Sequence, residues 1–211
     1  MSVELWMSKK LITVPRDAPV SMAFELLLTN DIRHLPVVSQ THELVGIITD
    51  RDLNEAVIPA DPSGSNRSMY HTVKNIKAEK IMTPNPITVG TDTSIQEAAQ
   101  LMLDRRIDCL PVMDPAGHLA GILTSTDILR AFVEFTRVLG DTRRIDIVME
   151  SGGYAKVLEE FQNCGVPLIS VGITHDQKTD KTVFSFRTCD KDVGSITRKL
   201  TDMGYEFLLD T

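Results

Sequence analysis

Hydrophobic and polar positions along this chain fall into one pattern that is written twice. Apolar residues at helical spacing occur at Met22, Phe24, Leu26, Leu27 and Leu28, and again at Ile95, Ala98, Ala99, Leu101, Met102 and Leu103. Each run is followed by a short aliphatic segment containing Leu-Pro-Val (Leu35-Pro36-Val37; Leu110-Pro111-Val112). A polar turn follows, Gln40 to Glu43 or Asp114 to His118, and then a glycine-led aliphatic run, Gly46 to Thr49 or Gly121 to Thr124. A second apolar helical run closes each unit, from Leu53 to Val57 and from Ile128 to Phe135. With a short extended segment at Thr13 and at Thr88, each unit is predicted to be β-α-β-β-α. Pro36 and Pro111 cannot donate to a ladder and are expected at a strand start or a sheet edge.

The two copies align without a gap at an offset of 75 residues, pairing Met7 with Met82, Asp17 with Asp92, and Gly46, Thr49 and Asp52 with Gly121, Thr124 and Asp127. Two copies are too few for a solenoid. Each is small for a core of its own, so the pair is expected to bury apolar faces together. Within each copy a Thr leaves a strand and an Asp follows three residues later, before a helix. Such a junction presents unpaired N–H groups and the positive end of the helix dipole, which suits a phosphate. A neighbouring carboxylate can accept from ribose hydroxyls. Thr-x-x-Asp before an apolar run is equally a capping box, with Thr as N-cap. Spacing alone leaves both readings open.

The sequences Arg33-His34-Leu35-Pro36-Val37-Val38 with Gly46 to Asp52, and Ile107-Asp108-Cys109-Leu110-Pro111-Val112 with Gly121 to Asp127, resemble cystathionine-β-synthase (CBS) domains. Two motifs recurring twice in register make the likeness specific over residues 1–135, with one repeat at about 1–58 and the other at about 76–135. It implies a CBS pair, or Bateman module, that binds adenosine-containing ligands such as AMP, ADP, ATP or S-adenosylmethionine in clefts between the repeats. By position, Asp52 and Asp127 would hold ribose hydroxyls and Thr49 and Thr124 would sit at ribose or phosphate. Thr13 and Thr88, with the backbone at His34-Leu35 and Cys109-Leu110, would line the base pocket. Arg51 is matched by Thr126, so only the first motif carries a guanidinium able to fork onto a phosphate. Two unequal sites are expected, one taking a phosphorylated ligand and the other empty or binding something less charged.

From Arg143 the pattern changes. Strand-like alternation at Arg144 to Glu150 precedes a helix over Tyr154 to Cys164 ended by Gly165. Strands at Pro167–Thr174 and Lys181–Thr188 flank a polar turn, a helix covers Asp192 to Met203 up to Gly204, and a last strand covers Tyr205 to Leu209. This β-α-β-β-α-β order is a split βαβ, ferredoxin-like unit. With its Ser151-Gly152-Gly153 turn, the segment 143–211 resembles an ACT domain. That implies side-by-side pairing into a homodimer and an amino-acid site at Glu150, Ser151, Gly152, Gly153 and Tyr154. Gly152-Gly153 departs from the Pro-Gly of many amino-acid-sensing loops, and a pure dimerisation module is the alternative. A CBS pair followed by an ACT-like domain resembles, in domain order, the acetoin-utilisation protein family. The expected fold class is thus mixed α+β and α/β, two packed CBS units followed by the ferredoxin-like domain, with a helical linker over 136–142.

Composition narrows the function. A formal net charge of −7 gives no nucleic-acid footprint, so anionic ligands must rely on local cations and helix ends. No apolar run of membrane-spanning length and no signal peptide is visible, which points to a cytoplasmic protein. Cys109, Cys164 and Cys189 lack CxxC spacing and read as reduced thiols; the five histidines have no ligand spacing, so no metal is expected. Trp6, the single tryptophan, reads as core or interface. The Pro/Ser/Gly-rich stretch 54–77 is loop chemistry, a surface linker or a flap carrying Arg67, His71 or Lys74 to a phosphate. Without a nucleophile set or Walker loop, the chain reads as a regulatory protein with no catalytic cofactor and an unidentified partner protein. His34 and His71 are the weak candidates for a general base should it act on nucleotides.

Overall fold

The structure, a computed structural model, describes residues 1–57, 76–136, 142–149, 153–176 and 180–210. The chain forms two compact units, Met1–Leu129 and Arg130–Thr211.

In the first unit each repeat makes a small sheet with helices. The first repeat contributes β1 (Val14–Pro15), α1 (Val20–Asn30), β2 (His34–Val38), β3 (Leu44–Thr49) and α2 (Asp50–Val57). The second begins with β4 (Thr83–Pro84) and continues with β5 (Val89–Gly90), α3 (Ile95–Arg105), β6 (Cys109–Met113), β7 (Leu119–Thr124) and α4 (Ser125–Thr136). β1 runs parallel to β2 and β5 parallel to β6, while β2/β3 and β6/β7 are antiparallel hairpins in the same register, His34 opposite Thr49 and Cys109 opposite Thr124. Leu35, Val37, Ile48 and Leu53 join Val14, Val20, Ala23 and Leu27 in a buried core, as strict alternation and helical spacing require.

The repeats exchange their leading segments. β4 belongs to the second repeat by sequence but pairs with β3 of the first, Thr83 opposite Ile47. Reciprocally, Ser8 bridges Ile122 on β7, and Val3 donates its N–H to the Thr93 carbonyl at 2.8 Å. Ala78 is fully buried in the first repeat's core, where its N–H bonds the Ala18 carbonyl at 2.8 Å. Gly46 and Gly121 allow this close crossing: a Cβ at Gly46 would strike the Met82 sulfur, and one at Gly121 would lie 2.5 Å from the Met7 sulfur.

Pro36 departs from expectation. It is the third of five residues in β2, which lies between β1 and β3. The β1 ladder starts only at Val37, so the position is flanked by a neighbour too short to need the missing N–H. α1 and α3 both end on a non-glycine residue in the left-handed region, Asp31 at φ 52 and Arg106 at φ 54.

The second unit follows the order β8 (Arg143–Val148), α5 (Tyr154–Asn163), β9 (Leu168–Asp176), β10 (Lys181–Thr188), α6 (Gly194–Asp202) and β11 (Glu206–Asp210). Its sheet is antiparallel in the order β11-β8-β10-β9. Ile145, Ile147, Phe184 and Phe186 on one face pack with Val157, Phe161, Ile196 and Leu200 of the two helices. Gly165 and Gly204 take φ of +70° and +83° just past the helix ends, the conformation a C′ glycine supplies. β9 runs two residues further than expected, to Asp176, taking His175 out of the turn; the ring contacts Asp180 at 3.1 Å.

Candidate functional site

Each hairpin delivers its Thr to the first turn of a helix. Thr49 ends β3 and α2 starts at Asp50; Thr124 ends β7 and α4 starts at Ser125. The junctions are clamped to the neighbouring strand, Asp50 N–H donating to the Arg33 carbonyl at 3.1 Å and Ser125 N–H to the Asp108 carbonyl at 2.9 Å.

Asp52 Oδ2 accepts from the Thr49 N–H and hydroxyl, both at 2.7 Å, and the Asp52 N–H donates to Thr49 Oγ1 at 3.2 Å. In the second copy the corresponding distances for Asp127 and Thr124 are 2.9, 2.7 and 3.4 Å. The capping box is therefore formed in both repeats. It engages one carboxylate oxygen and holds the side chain at the junction, so capping and ligand binding are compatible uses of one Asp. Asp127 is buried at 8% exposure; Asp52 is half-buried.

The remaining candidates arrange themselves around this junction by register. β1 and β2 run parallel and β3 returns antiparallel, so the start of β1, the start of β2 and the exit of β3 share one end of the sheet. Thr13, just before β1, His34 and Leu35 on β2, and Thr49 and Asp52 therefore belong to that end. With strands about 4.8 Å apart, it spans about 10 Å from β1 to β3. The second repeat places Thr88, Cys109, Leu110, Thr124 and Asp127 equivalently. Thr88 is exposed and Thr13 half-buried, whereas the side chains of Leu35 and Leu110 are fully buried in the core, leaving only their backbone to offer.

Arg51 stands apart. Its side chain is 84% exposed and its Nε bonds Glu55 at 3.0 Å along the helix. It faces solvent, and reaching a ligand at the junction requires exchanging this weak pair for a phosphate.

Electrostatics at the junction follow from burial. Burial and the Arg33 charge lower the His34 pKa, against smaller opposing pulls from Asp108, Asp50 and Asp52. The pull of Asp108, a second-repeat residue, places that carboxylate close to His34. Burial, with Asp127 and Asp108 nearby, pushes the Cys109 thiol far up, which keeps it protonated and unreactive at neutral pH.

A separate cleft of about 220 Å³ lies between α1 and α2, lined by Phe24, Leu28, Asp31, Arg33, Asp50 and Asn54 among others. The sequence gave no signal for it, because its walls come from three segments with no common motif.

Of the expected amino-acid loop, Glu150, Ser151 and Gly152 lie outside the described residues. Gly153 is the N-cap of α5, and the ring of Tyr154, 44% exposed, stacks on Phe184 at 6.0 Å. Arg67, His71 and Lys74 of the expected flap also lie outside the described residues, as does all of the expected 136–142 linker except Thr136 and Thr142.

The family model of the CBS domain matches residues 2–59 and 78–134, more than half of the chain. The chain belongs to the CBS domain family. A CBS domain-containing protein of Dictyostelium discoideum is 36% identical over 132 residues, covering 63% of this chain and 91% of that one. The crystal structure of CBSX2 in complex with AMP is 31% identical, with a TM-score of 0.54 over 64% of this chain and 98% of that one. The CBS domain pair of protein MJ0100, solved with methylthioadenosine and S-adenosylmethionine, is 32% identical with a TM-score of 0.53, over 64% and 97%. A putative acetoin utilization protein from Vibrio cholerae is 26% identical with a TM-score of 0.54, over 65% and 94%. Two homoserine O-acetyltransferases match at 32% (Methanococcus vannielii) and 30% (Methanohalobium evestigatum) identity, but the matched part spans only 24% of either enzyme. In this CBS protein no described helix is long and apolar enough to cross a membrane.

Proposed function

We propose that this chain is a cytoplasmic, non-catalytic sensor whose CBS pair binds an adenosine-containing ligand, AMP, ADP, ATP or S-adenosylmethionine, and whose second unit is an ACT-like output or pairing domain. The observation that carries the reading is the doubled strand-to-helix junction, with Thr49/Asp52 and Thr124/Asp127 held in the same hydrogen-bonded geometry. Similar CBS pairs solved with AMP and with S-adenosylmethionine support the ligand class. Asp52 and Asp127 hold ribose hydroxyls, Thr49 and Thr124 the ribose or phosphate. Thr13 and Thr88, with the backbone at His34-Leu35 and Cys109-Leu110, frame the base. Ligand binding favours one arrangement of the repeats by its differential affinity, and the shift passes through α4 to the second unit or a partner protein.

Exposed apolar side chains at equivalent positions of the repeats, Leu28 at 73% and Leu103 at 74% exposure, support a homodimer.

A thermal-shift panel tests the ligand. At a hundredfold its Kd, one adenosine compound is expected to stabilise the chain by about 2.7 kcal/mol, on the order of 5 °C or more. A flat nucleotide series alongside a response to one amino acid moves the sensing role to the second unit and defeats the proposal.

A further inference from the structure

The second unit contains a cavity of about 550 Å³ at the end of the sheet where β8 starts and β10 stops. This is the opposite end from Gly153 and Tyr154, which follow β8. Arg143 and Arg144 line it from β8, Lys191 and Asp192 from the loop after β10, and Gly194, Thr197, Arg198 and Thr201 from α6. Four cations thus face one carboxylate in a chain whose net charge is −7.

The cations are held open around this space. Arg144 pairs with Asp146 through Nε at 3.1 Å, which leaves the rest of its donor fork. Neither Arg143 nor Arg198 has an ion-pair partner among the described residues, and both are exposed. Asp192 is engaged elsewhere, its Oδ1 accepting from the Gly194 N–H at 3.0 Å. Thr197 and Thr201 donate their hydroxyls to backbone carbonyls of α6, so recognition is left to the cations.

We propose that this cavity is a binding site for a small phosphorylated metabolite, distinct from the adenosine clefts of the CBS pair. Guanidinium forks match phosphate oxygens bidentately, which suits Arg143 and Arg198. A volume of about 550 Å³ falls in the range of small-molecule sites. An acidic chain repels anions at long range, so local convergence of cations, not the overall field, selects the ligand. The inference stands independently of the adenosine-sensing function.

Isothermal titration of the full chain with inorganic pyrophosphate tests it. Saturable binding is expected, weakening as salt rises, and reduced roughly tenfold or more in the Arg143→Gln/Arg198→Gln chain, since each charge-assisted contact contributes about 1.5 kcal/mol or more. Affinity is expected to be retained in the Asp52→Ala/Asp127→Ala chain. Both arginines are exposed, so an unchanged melting profile in the first variant shows that the loss is local. Absence of saturable binding, equal affinity in the arginine variant, or binding to a single-stranded oligonucleotide without binding to pyrophosphate would each overturn the proposal.

Discussion

Asp52 and Asp127 show how one residue serves fold and ligand together. Each caps its helix through one carboxylate oxygen, a contact whose loss costs about 1 kcal/mol. Substitution by Ala therefore carries a small stability cost that must be separated from any binding effect. His34 gives a residue-level prediction. Its pKa is lowered in the folded state, so between 6.5 and that lowered value the unfolded chain holds more protons than the folded one. Stability accordingly falls as pH drops through that window and levels off below it. Melting temperatures of the wild type are expected to fall more between about pH 7.5 and pH 5.5 than those of His34→Gln. Equal slopes would show that burial of the ring is not felt. The residue signals read from sequence were those at repeat-related positions. Asp31 and Arg106 were missed because a left-handed helix end is ordinarily marked by glycine, and here an acid and a base occupy it.

Among the elements, the exchanged leading segments are the least obvious feature. Sequence showed that Met7 and Met82 correspond, and that the segment at Trp6 belongs with its neighbour. It did not show that β4 completes the first repeat's sheet, because a two-residue strand has no periodicity to read. The glycines facing the methionines make the crossing testable. Gly121→Ala places a methyl 2.5 Å from the Met7 sulfur and 3.0 Å from the Ser8 carbonyl oxygen. Met7 can move, but the backbone oxygen cannot without opening the Ser8–Ile122 bridge. Destabilisation of about 1–3 kcal/mol is expected in chemical denaturation, and Gly46→Ala should behave alike. Wild-type stability in both variants would mean the segments are not packed as described. The β-α-β-β-α-β order of the second unit was legible because Gly165 and Gly204 punctuate it, whereas its basic cavity was not. That cavity draws on residues 143–144, 191–194 and 197–201, which meet only when β8 pairs with β10.

At the scale of the whole molecule, an in-register duplication explains the first unit. Identical hairpin registers place two equivalent junctions in one unit, yet the copies differ at the residues that decide ligand charge. Arg33 and Arg51 in the first repeat stand where Asp108 and Thr126 stand in the second. Unequal ligand affinity is the expected consequence, with the more anionic ligand favouring the first junction. Calorimetric titration of AMP into the full chain, compared with Asp52→Ala and Asp127→Ala singly, tests this most directly. The account predicts saturable binding that falls by about tenfold or more in Asp52→Ala, far beyond the effect of a lost cap, and by less in Asp127→Ala. Adenosine ligands that bind equally well to all three proteins would contradict it, and would leave Thr-x-x-Asp as a helix cap alone.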